Sequence, residues 1–327
     1  MRFNKSKKME IIRLVEGSEI GVIRTLKELG INKSTFYRWY ARYDKYGYDG
    51  LTPLDPNRKH FWNQIPPDER QKVVEIALEL PELSPRELAH HITDNEGWFI
   101  SESSVYRILK SRGLITSPTH IVMAAADEFK DKTTRINQMW QTDFTYLKVI
   151  GWGWYYLTTI LDDYSRYIIA WELCKNMKAG DVQDILDKAL AITGLTIDQR
   201  PRLLSDNGSC YISGDLKEYL QNEKILHIRG KVHHPQTQGK IERYHRSMKN
   251  VIKLDNYYSP GELRSRLAEF IDYYNNKRYH ESLDNLTPVD VYLGRSQEIL
   301  NKRKQTKHLT LKNRRKKYLE EKIIINN

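Results

Sequence analysis

Cysteines and long apolar runs are almost missing from this sequence of 327 residues. Cys174 and Cys210 are the only cysteines and no CxxC pair occurs, so the sequence indicates neither a disulfide scaffold nor a zinc site. No run approaches the about 18 consecutive apolar residues of a membrane-spanning helix. The chain also has no signal-like start. These absences predict a cytoplasmic protein with no membrane partner.

Positive charge exceeds negative charge by 11, and the excess is concentrated at the two ends of the chain. Residues 1–60 carry thirteen Lys and Arg against seven acids, and residues 296–327 carry ten against three. The middle of the chain is therefore slightly acidic. Basic ends around such a centre suit a nucleoid-associated protein that holds a polyanion and works on it with metal ions. Basic tails that only improve solubility are the alternative interpretation.

Three short helices are predicted near the start, over residues 5–16, 19–29 and 33–44. This order predicts a helix-turn-helix DNA-binding domain over residues 1–55. In the third helix Phe36, Trp39 and Tyr40 have the spacing of a core face, so the other faces are free for DNA. The candidate DNA contacts there are Lys33, Ser34, Tyr37, Arg38 and Arg42. A three-helix bundle without any DNA function would have the same pattern.

A second domain of the same kind is predicted over residues 56–118, with helices over 66–80, 84–93 and 101–110. Ser84 and Glu87 fit a capping box at the start of its second helix. Residues 97–100 have the composition of a short strand, so the domain is a helix-turn-helix with or without a wing. Ser104 and Arg107 on the last helix are its candidate DNA contacts.

The remaining chain divides into a linker over 119–135, an α/β core over 136–295 and a basic tail over 296–327. The pattern of the core predicts three strands that form an antiparallel meander, followed by helix, strand, helix, strand and helix. The tail is expected to be a partly disordered arm that contacts DNA.

Three carboxylates of the core occur in distinctive local sequences. Asp143 lies in Trp-Gln-Thr-Asp-Phe-Thr-Tyr-Leu, within a predicted strand. Asp206 follows an apolar run, in Ser-Asp-Asn-Gly-Ser. Glu242 lies further on, with thirty-five residues between it and Asp206, in the helix-compatible run His-Pro-Gln-Thr-Gln-Gly-Lys-Ile-Glu-Arg-Tyr-His-Arg-Ser-Met-Lys. At 3.6 residues per turn, Gln238, Arg246 and Lys249 share the helix face of Glu242.

These three segments resemble the polynucleotidyl-transferase core of bacterial insertion-sequence transposases and retroviral integrases. The resemblance covers residues 136–295 and implies a ribonuclease H-like fold. It also implies that Asp143, Asp206 and Glu242 are the catalytic acids and the ligands of two Mg²⁺ ions, for which Mn²⁺ could substitute. Gln238, Lys240, Arg246 and Lys249 would bind DNA beside Glu242. The alternative interpretation is that these residues only form an exposed helix face with charge pairing.

The function implied by the resemblance is that of a DNA transposase. Such a protein binds the terminal inverted repeats of a mobile element in double-stranded DNA, as a homo-oligomer. Water then cuts the DNA to free a 3′-hydroxyl, and that hydroxyl attacks the target DNA. The rival classes are a domesticated DNA-binding regulator, which needs no intact acid triad, and a ribonuclease H-like nuclease. A tyrosine recombinase would need an Arg and His-x-x-Arg set, which the sequence lacks.

Two other groups could be mistaken for metal ligands. Asp162 and Asp163 are adjacent, so on a strand they point to opposite faces, and the resemblance favours a turn-capping role with Ser165 and Arg166. His233 and His234 are expected to contact phosphate or to pack within a loop. The segment from Tyr273 to Pro288 resembles the end of transposase cores and is interpreted as mainly structural.

Overall fold

The computed structural model describes residues 3–18, 20–52, 61–115, 133–230 and 239–326. The chain divides into two compact units, Met1–Gln64 and Ile65–Asn327. None of the helices in these ranges is long and apolar enough to cross a membrane.

The first unit is the predicted group of three helices. Its elements are α1 (Lys5–Glu16), α2 (Val22–Glu28), α3 (Lys33–Tyr46) and a 3-10 turn (Gly47–Leu51). Asn32 caps α3, because its side-chain oxygen accepts the amide of Ser34 at 3.0 Å. Phe36 and Trp39 are buried with Ile12 and Leu26, as the spacing predicted. Each such burial stabilises the fold by roughly 1.5–3 kcal/mol.

The second unit begins with another group of three helices. They are α4 (Pro67–Glu79), α5 (Pro85–His91), which continues as a π-helical turn (Ile92–Glu96), and α6 (Glu102–Ser111). The predicted capping box of Ser84 and Glu87 is present. No strand is formed at residues 97–100, so the predicted wing is not found there. That segment instead hydrogen-bonds to the last helix of the chain, since the amide of Phe99 donates to Thr310 at 2.9 Å.

The core is a five-stranded mixed sheet between two layers of helices. Its strands are β1 (Met139–Val149), β2 (Gly153–Asp162), β3 (Ile168–Cys174), β4 (Arg202–Ser205) and β5 (His227–Arg229). The order across the sheet is β3-β2-β1-β4-β5, with the first three strands antiparallel and β4 and β5 parallel to β1. The predicted element order of the core is confirmed.

Apolar side chains on the two faces of the sheet form separate cores. One face packs on α7 (Ala179–Thr193) and α8 (Gly214–Asn222) through residues such as Trp140 and Leu186. The other packs on α9 (Gly239–Ile252) and α10 (Pro260–Asn276) through residues such as Leu157 and Met248. The chain then continues as α11 (Pro288–Tyr292) and α12 (Ser296–Asn326).

The tail from residue 296 is helical where the sequence led us to expect partial disorder, and that expectation was wrong. Its composition is polar, but Arg303 and Arg314 pair with Asp94 and Glu69 of the second helical group. These ion pairs stabilise a helix that lacks a long apolar face of its own.

Candidate active site

Two of the three predicted acids come together because of the strand topology. Strands β1 and β4 are parallel neighbours, and Gln141 is paired with Leu204. Two residues further on, the same register sets Asp143 beside Asp206, just beyond the end of β4. Carboxyl ends of neighbouring parallel strands are a common place for ligand sites in open α/β sheets. Asp143 and Asp206 are far apart in the sequence, and the pairing of β1 with β4 places them next to each other.

The environment of Asp206 raises the pKa of its carboxyl group. Partial burial is the larger cause, and the negative charge of Asp143 adds to it, while a hydrogen bond from the amide of Gly208 acts in the opposite direction. That amide lies 2.8 Å from Asp206 Oδ1. A Cβ at position 208 would lie 3.0 Å from the same oxygen, so glycine lets the turn close around the carboxylate.

Asp143 lies next to a histidine that was not among the residues predicted from the sequence. His245 Nδ1 lies 3.3 Å from Asp143 Oδ2, and the His245 side chain is buried. His245 follows Glu242 by three residues on α9, so helical spacing alone could have suggested that the two share a region of the helix surface. This contact restricts the orientations that the Asp143 carboxylate can take.

Glu242 lies in the first turn of α9 and is exposed. The helix is attached to β1 just beside it, because the amide of Ile241 donates to Gln141 Oε1 at 3.0 Å. Among the residues that the structure describes, no three His, Cys, Asp or Glu side chains are grouped closely enough to hold a metal ion. The pair of Asp143 and Asp206 does fit a hard divalent cation, which would offset the repulsion between these two carboxylates.

Asp162 and Asp163 are fully committed to other partners, as the turn-capping interpretation predicted for Asp162. Asp162 accepts the amide and hydroxyl of Ser165 at 2.8 and 2.6 Å. Asp163 accepts hydrogen bonds from the hydroxyl of Thr133 and the side-chain amide of Gln141, and it forms an ion pair with Lys240 at 2.7 Å. Both carboxylates are buried and use most of their lone pairs on these donors, which disfavours a metal ion at either one.

The predicted DNA contacts on α9 differ in what surrounds them. Arg246 is exposed, whereas Lys240 is held by Asp163. The Lys249 ammonium lies 4.9 Å from the centre of the Tyr146 ring. Burial lowers the pKa of Lys249, with Lys253 adding to the decrease and the charge of Asp143 opposing it. Gln238, His233 and His234 lie outside the described residues.

The candidate contacts of the two helical groups lie mostly on exposed faces. Lys33, Ser34, Tyr37 and Arg38 are exposed on α3, while Arg42 is half-buried and donates to the carbonyl of Thr52 at 3.1 Å. On α6, Arg107 is exposed and donates to the hydroxyl of Ser104 at 3.3 Å. The DNA roles of these residues stay predictions.

Comparison with protein families identifies the class of domain that this fold and site belong to. An integrase core domain matches residues 133–235, and a second integrase core domain family matches residues 223–288. Homeodomain-like domains match residues 4–52 and 35–109. The chain therefore carries an integrase core domain behind N-terminal homeodomain-like helix-turn-helix domains. With the strand order of the sheet, this confirms the predicted fold class of helix-turn-helix modules followed by a ribonuclease H-like core.

Similar proteins include insertion-sequence transposases. The putative transposase InsK for IS150 of Escherichia coli (strain K12) is 28% identical over 160 residues, which are 49% of this chain and 56% of that protein. The IS629 transposase of Shigella sonnei is 26% identical over 190 residues, which are 56% of this chain and 62% of that protein. The chain thus spans little more than half the length of these relatives.

Among solved structures, the chain is similar to the HTLV-2 integrase catalytic core domain in complex with magnesium. The two are 20% identical with a TM-score of 0.39, over 48% of this chain and 97% of that one.

Proposed function

We propose that this protein is a DNA transposase that cuts the ends of a mobile element and joins them to target DNA. The observation that supports it most is the position of Asp143, within β1, next to Asp206, just beyond the end of the parallel strand β4, beside the helix that carries Glu242. The integrase core domain in the same region and the transposase relatives support the same reaction class.

Asp143, Asp206 and Glu242 would hold two divalent cations, Mg²⁺ or Mn²⁺. When bound, such ions supply an activated water and stabilise the charge on the attacking and leaving oxygens. The chain itself provides no nucleophile in this proposal. Its residues orient the carboxylates, as His245 does for Asp143, and bind the DNA so that the scissile phosphate lies over the pair of acids.

The proposed partner is double-stranded DNA, read at the terminal repeats by the two helix-turn-helix domains and cut by the core. The proposal includes the domain limits of 1–55, 56–118, 136–295 and 296–327, assembly as a homo-oligomer on DNA, and a cytoplasmic, nucleoid-associated location. The homeodomain-like matches support the DNA-reading role of the first two domains.

The test replaces the three acids one at a time, as Asp143→Asn, Asp206→Asn and Glu242→Gln. Each variant should lose at least about a thousandfold in strand cleavage and joining, because each removes a charge that holds the ions. Binding of the terminal repeat should change little. Cleavage and joining are measured separately on a labelled repeat in Mg²⁺.

Asp198→Asn and Glu218→Gln are the matched controls, since both residues are exposed and lie outside the site. They should retain wild-type rates. Asp163→Asn is unsuitable as a control because it would break the ion pair with Lys240. Near-normal cleavage in any one acid variant would remove that residue from the site. If the wild type cleaved DNA without joining it, a nuclease would be favoured. If it neither cleaved nor joined DNA, a DNA-binding regulator would be favoured.

A further inference from the structure

A basic cleft lies beside α9 in the second unit, and of the predicted DNA contacts it includes only Lys240 and Arg246. Its volume is about 570 Å³. It is formed by α9, by the segment after α10 and by the start of α5. We name it the basic cleft, and its cationic lining residues are Arg86, Arg166, Lys240, Arg243, Arg246 and Arg278. Glu281 is the one acid among the lining residues.

Most of the basic cleft lies on a different flank of α9 from the candidate active site, and Arg246, which lines the cleft but is one turn from Glu242, lies between the two. At 100° per residue, Arg243 and Ser247 lie on the flank that lines the cleft, whereas Glu242 and Lys249 lie about 100–160° away around the helix axis. Lys249 faces Tyr146 and the charge of Asp143, which marks its flank as the side of the active site. A ligand bound around Arg243 and Ser247 would therefore be separate from the scissile phosphate.

Charge in the cleft is only partly compensated by the described residues. Lys240 pairs with Asp163, and Arg86 donates to the side chain of Asn285. Arg278 lies over the ring of Tyr274 at 5.8 Å, a contact that leaves its positive charge in place. Arg243 and Arg246 are exposed on α9, and no ion pair within the described ranges involves either one. Like charges this close raise the free energy of the empty cleft, and an anion would offset that cost.

A buried histidine at the cleft adds a second, independent indication of a polar ligand. His280 lines the cleft, and its Nε2 atom is buried without a hydrogen-bond partner among the described residues. The His280 ring packs edge-on against Tyr274, with ring centroids 4.9 Å apart. A buried polar nitrogen without a partner costs free energy, so a ligand atom that bonds to it would be favoured.

We propose that the basic cleft binds the phosphodiester backbone of a second stretch of duplex DNA, outside the stretch held at the active site. Several guanidinium groups around one groove match successive phosphates, because the arginine fork pairs with phosphate oxygens in two-point contacts. Arg86 belongs to the second helix-turn-helix group, and Arg243 and Arg278 belong to the core. DNA in the cleft would thus connect the reading domain with the catalytic domain. The inference rests on the proposed function in taking DNA as the substrate.

The test measures the affinity of the full chain for a labelled duplex of unrelated sequence, in EDTA, over a series of salt concentrations. Arg243→Glu should weaken binding about tenfold at low salt. The slope of log affinity against log salt should fall by about 0.9 for each phosphate that the variant no longer neutralises. Arg243→Lys, which keeps the charge, should restore most of the affinity. The melting temperature of Arg243→Glu should be equal to or above that of the wild type, because a repulsive charge has been removed.

Lys217→Glu is the matched control, since Lys217 is exposed on α8, does not line the cleft, and undergoes the same change in charge. Equal losses for both variants would overturn the proposal, because net charge alone would then explain them. Inorganic phosphate at constant ionic strength should not compete with the duplex. If phosphate did compete, the cleft would be a site for small anions. If polyglutamate bound and its binding depended on Arg243 as strongly as duplex binding does, the cleft would be a protein-docking site. Either result would overturn the proposal.

Because binding is measured in EDTA, no strand chemistry enters this experiment. If the proposed function failed, the wild type would not join strands, yet the effect of Arg243→Glu on binding could still be observed. If the cleft proposal failed, the binding of Arg243→Glu would match that of Lys217→Glu, and strand joining by the wild type would remain.

Discussion

Individual acids in the core differ in how many hydrogen-bond donors surround them, and this difference separates structural acids from candidate ligands. Asp162 and Asp163 are buried and receive three donors each. Asp206 receives the amide of Gly208, and Asp143 lies against His245. A carboxylate with most of its lone pairs unused can accept a cation more readily than a buried one that already has three donors. Adjacent acids such as Asp162 and Asp163 are therefore poor evidence for a metal site by themselves.

His280 makes the stability of the fold depend on pH. Burial, with the charges of Arg278 and Arg166, lowers the pKa of His280 from 6.5 to about 3. The folded state therefore favours the neutral ring, so this stabilisation is fully present above pH 6.5 and is lost as the pH falls toward 3. Between pH 7 and 4 the loss is roughly 3 kcal/mol.

The measurement for His280 is the free energy of unfolding at a series of pH values. His280→Gln should be less sensitive to pH than the wild type over this interval, so the two stabilities should converge as the pH falls. Some slope should remain, because the pKa of His90 is also lowered, to about 4, mainly by burial. His308→Gln, at an exposed position on α12, should keep the wild-type slope. Parallel curves for His280→Gln and the wild type would remove His280 as the origin of this dependence.

At the scale of elements, α12 joins the second helix-turn-helix group to the end of the core. Arg303 Nε and Nη2 each lie 2.7 Å from an oxygen of Asp94, and the same guanidinium donates to the carbonyls of Asp284 and Asn285. Arg314 pairs with Glu69 and donates to the carbonyl of Phe99. These contacts are largely buried, so they stabilise the arrangement far more than surface pairs do.

Arg303→Ala should therefore destabilise the second unit by about 3 kcal/mol, because it leaves the carboxylate of Asp94 without its paired cation. Urea unfolding would measure this decrease in stability. Lys316→Ala is the control on the same helix, since Lys316 and Glu320 form an exposed pair at 3.8 Å. Its effect should stay below about 0.5 kcal/mol. An equally small effect of Arg303→Ala would mean that α12 is held by its other contacts.

At the scale of the whole molecule, two groups of helices precede one catalytic fold, and each has an apolar core of its own. Phe36 and Leu26 belong to the core of the first group, and Leu88 and Val105 to that of the second. Separate cores allow each group to present its own third helix to DNA. The second group also packs on α12 through hydrogen bonds from Phe99 and Arg303. A fragment that contained the second group without α12 would lose these hydrogen bonds.

We expect the full chain to protect two major-groove stretches of the terminal repeat, about one helical turn apart or slightly more. Arg38→Glu should weaken protection of one stretch and Arg107→Glu that of the other, because these cations are exposed on α3 and α6. The measurement is a footprint on the repeat and on scrambled DNA of equal length. If either variant lost protection of both stretches, the two domains would not bind DNA independently. If both DNAs were protected equally, the domains would be general phosphate binders.

The kinds and order of the elements can be predicted from the sequence alone, because they depend on local periodicity, capping residues and turn residues. The capping box at Ser84, the core spacing of Phe36 and Trp39, and the order of strands and helices in the core all follow from neighbours along the chain. The local sequences around Asp143, Asp206 and Glu242 also carried the resemblance to transposases and integrases.

Contacts between distant segments of the chain could not be predicted from the sequence and are seen in the tertiary structure. It brought Asp143 beside Asp206, placed His245 against Asp143, and held Lys240 on Asp163. It also made the basic tail a packed helix and grouped Arg86 with Arg243 around one cleft. No local pattern encodes these contacts, because they depend on strand register and on which helix faces meet. The physical reason is that charge pairing and burial act through space, between residues that the sequence separates.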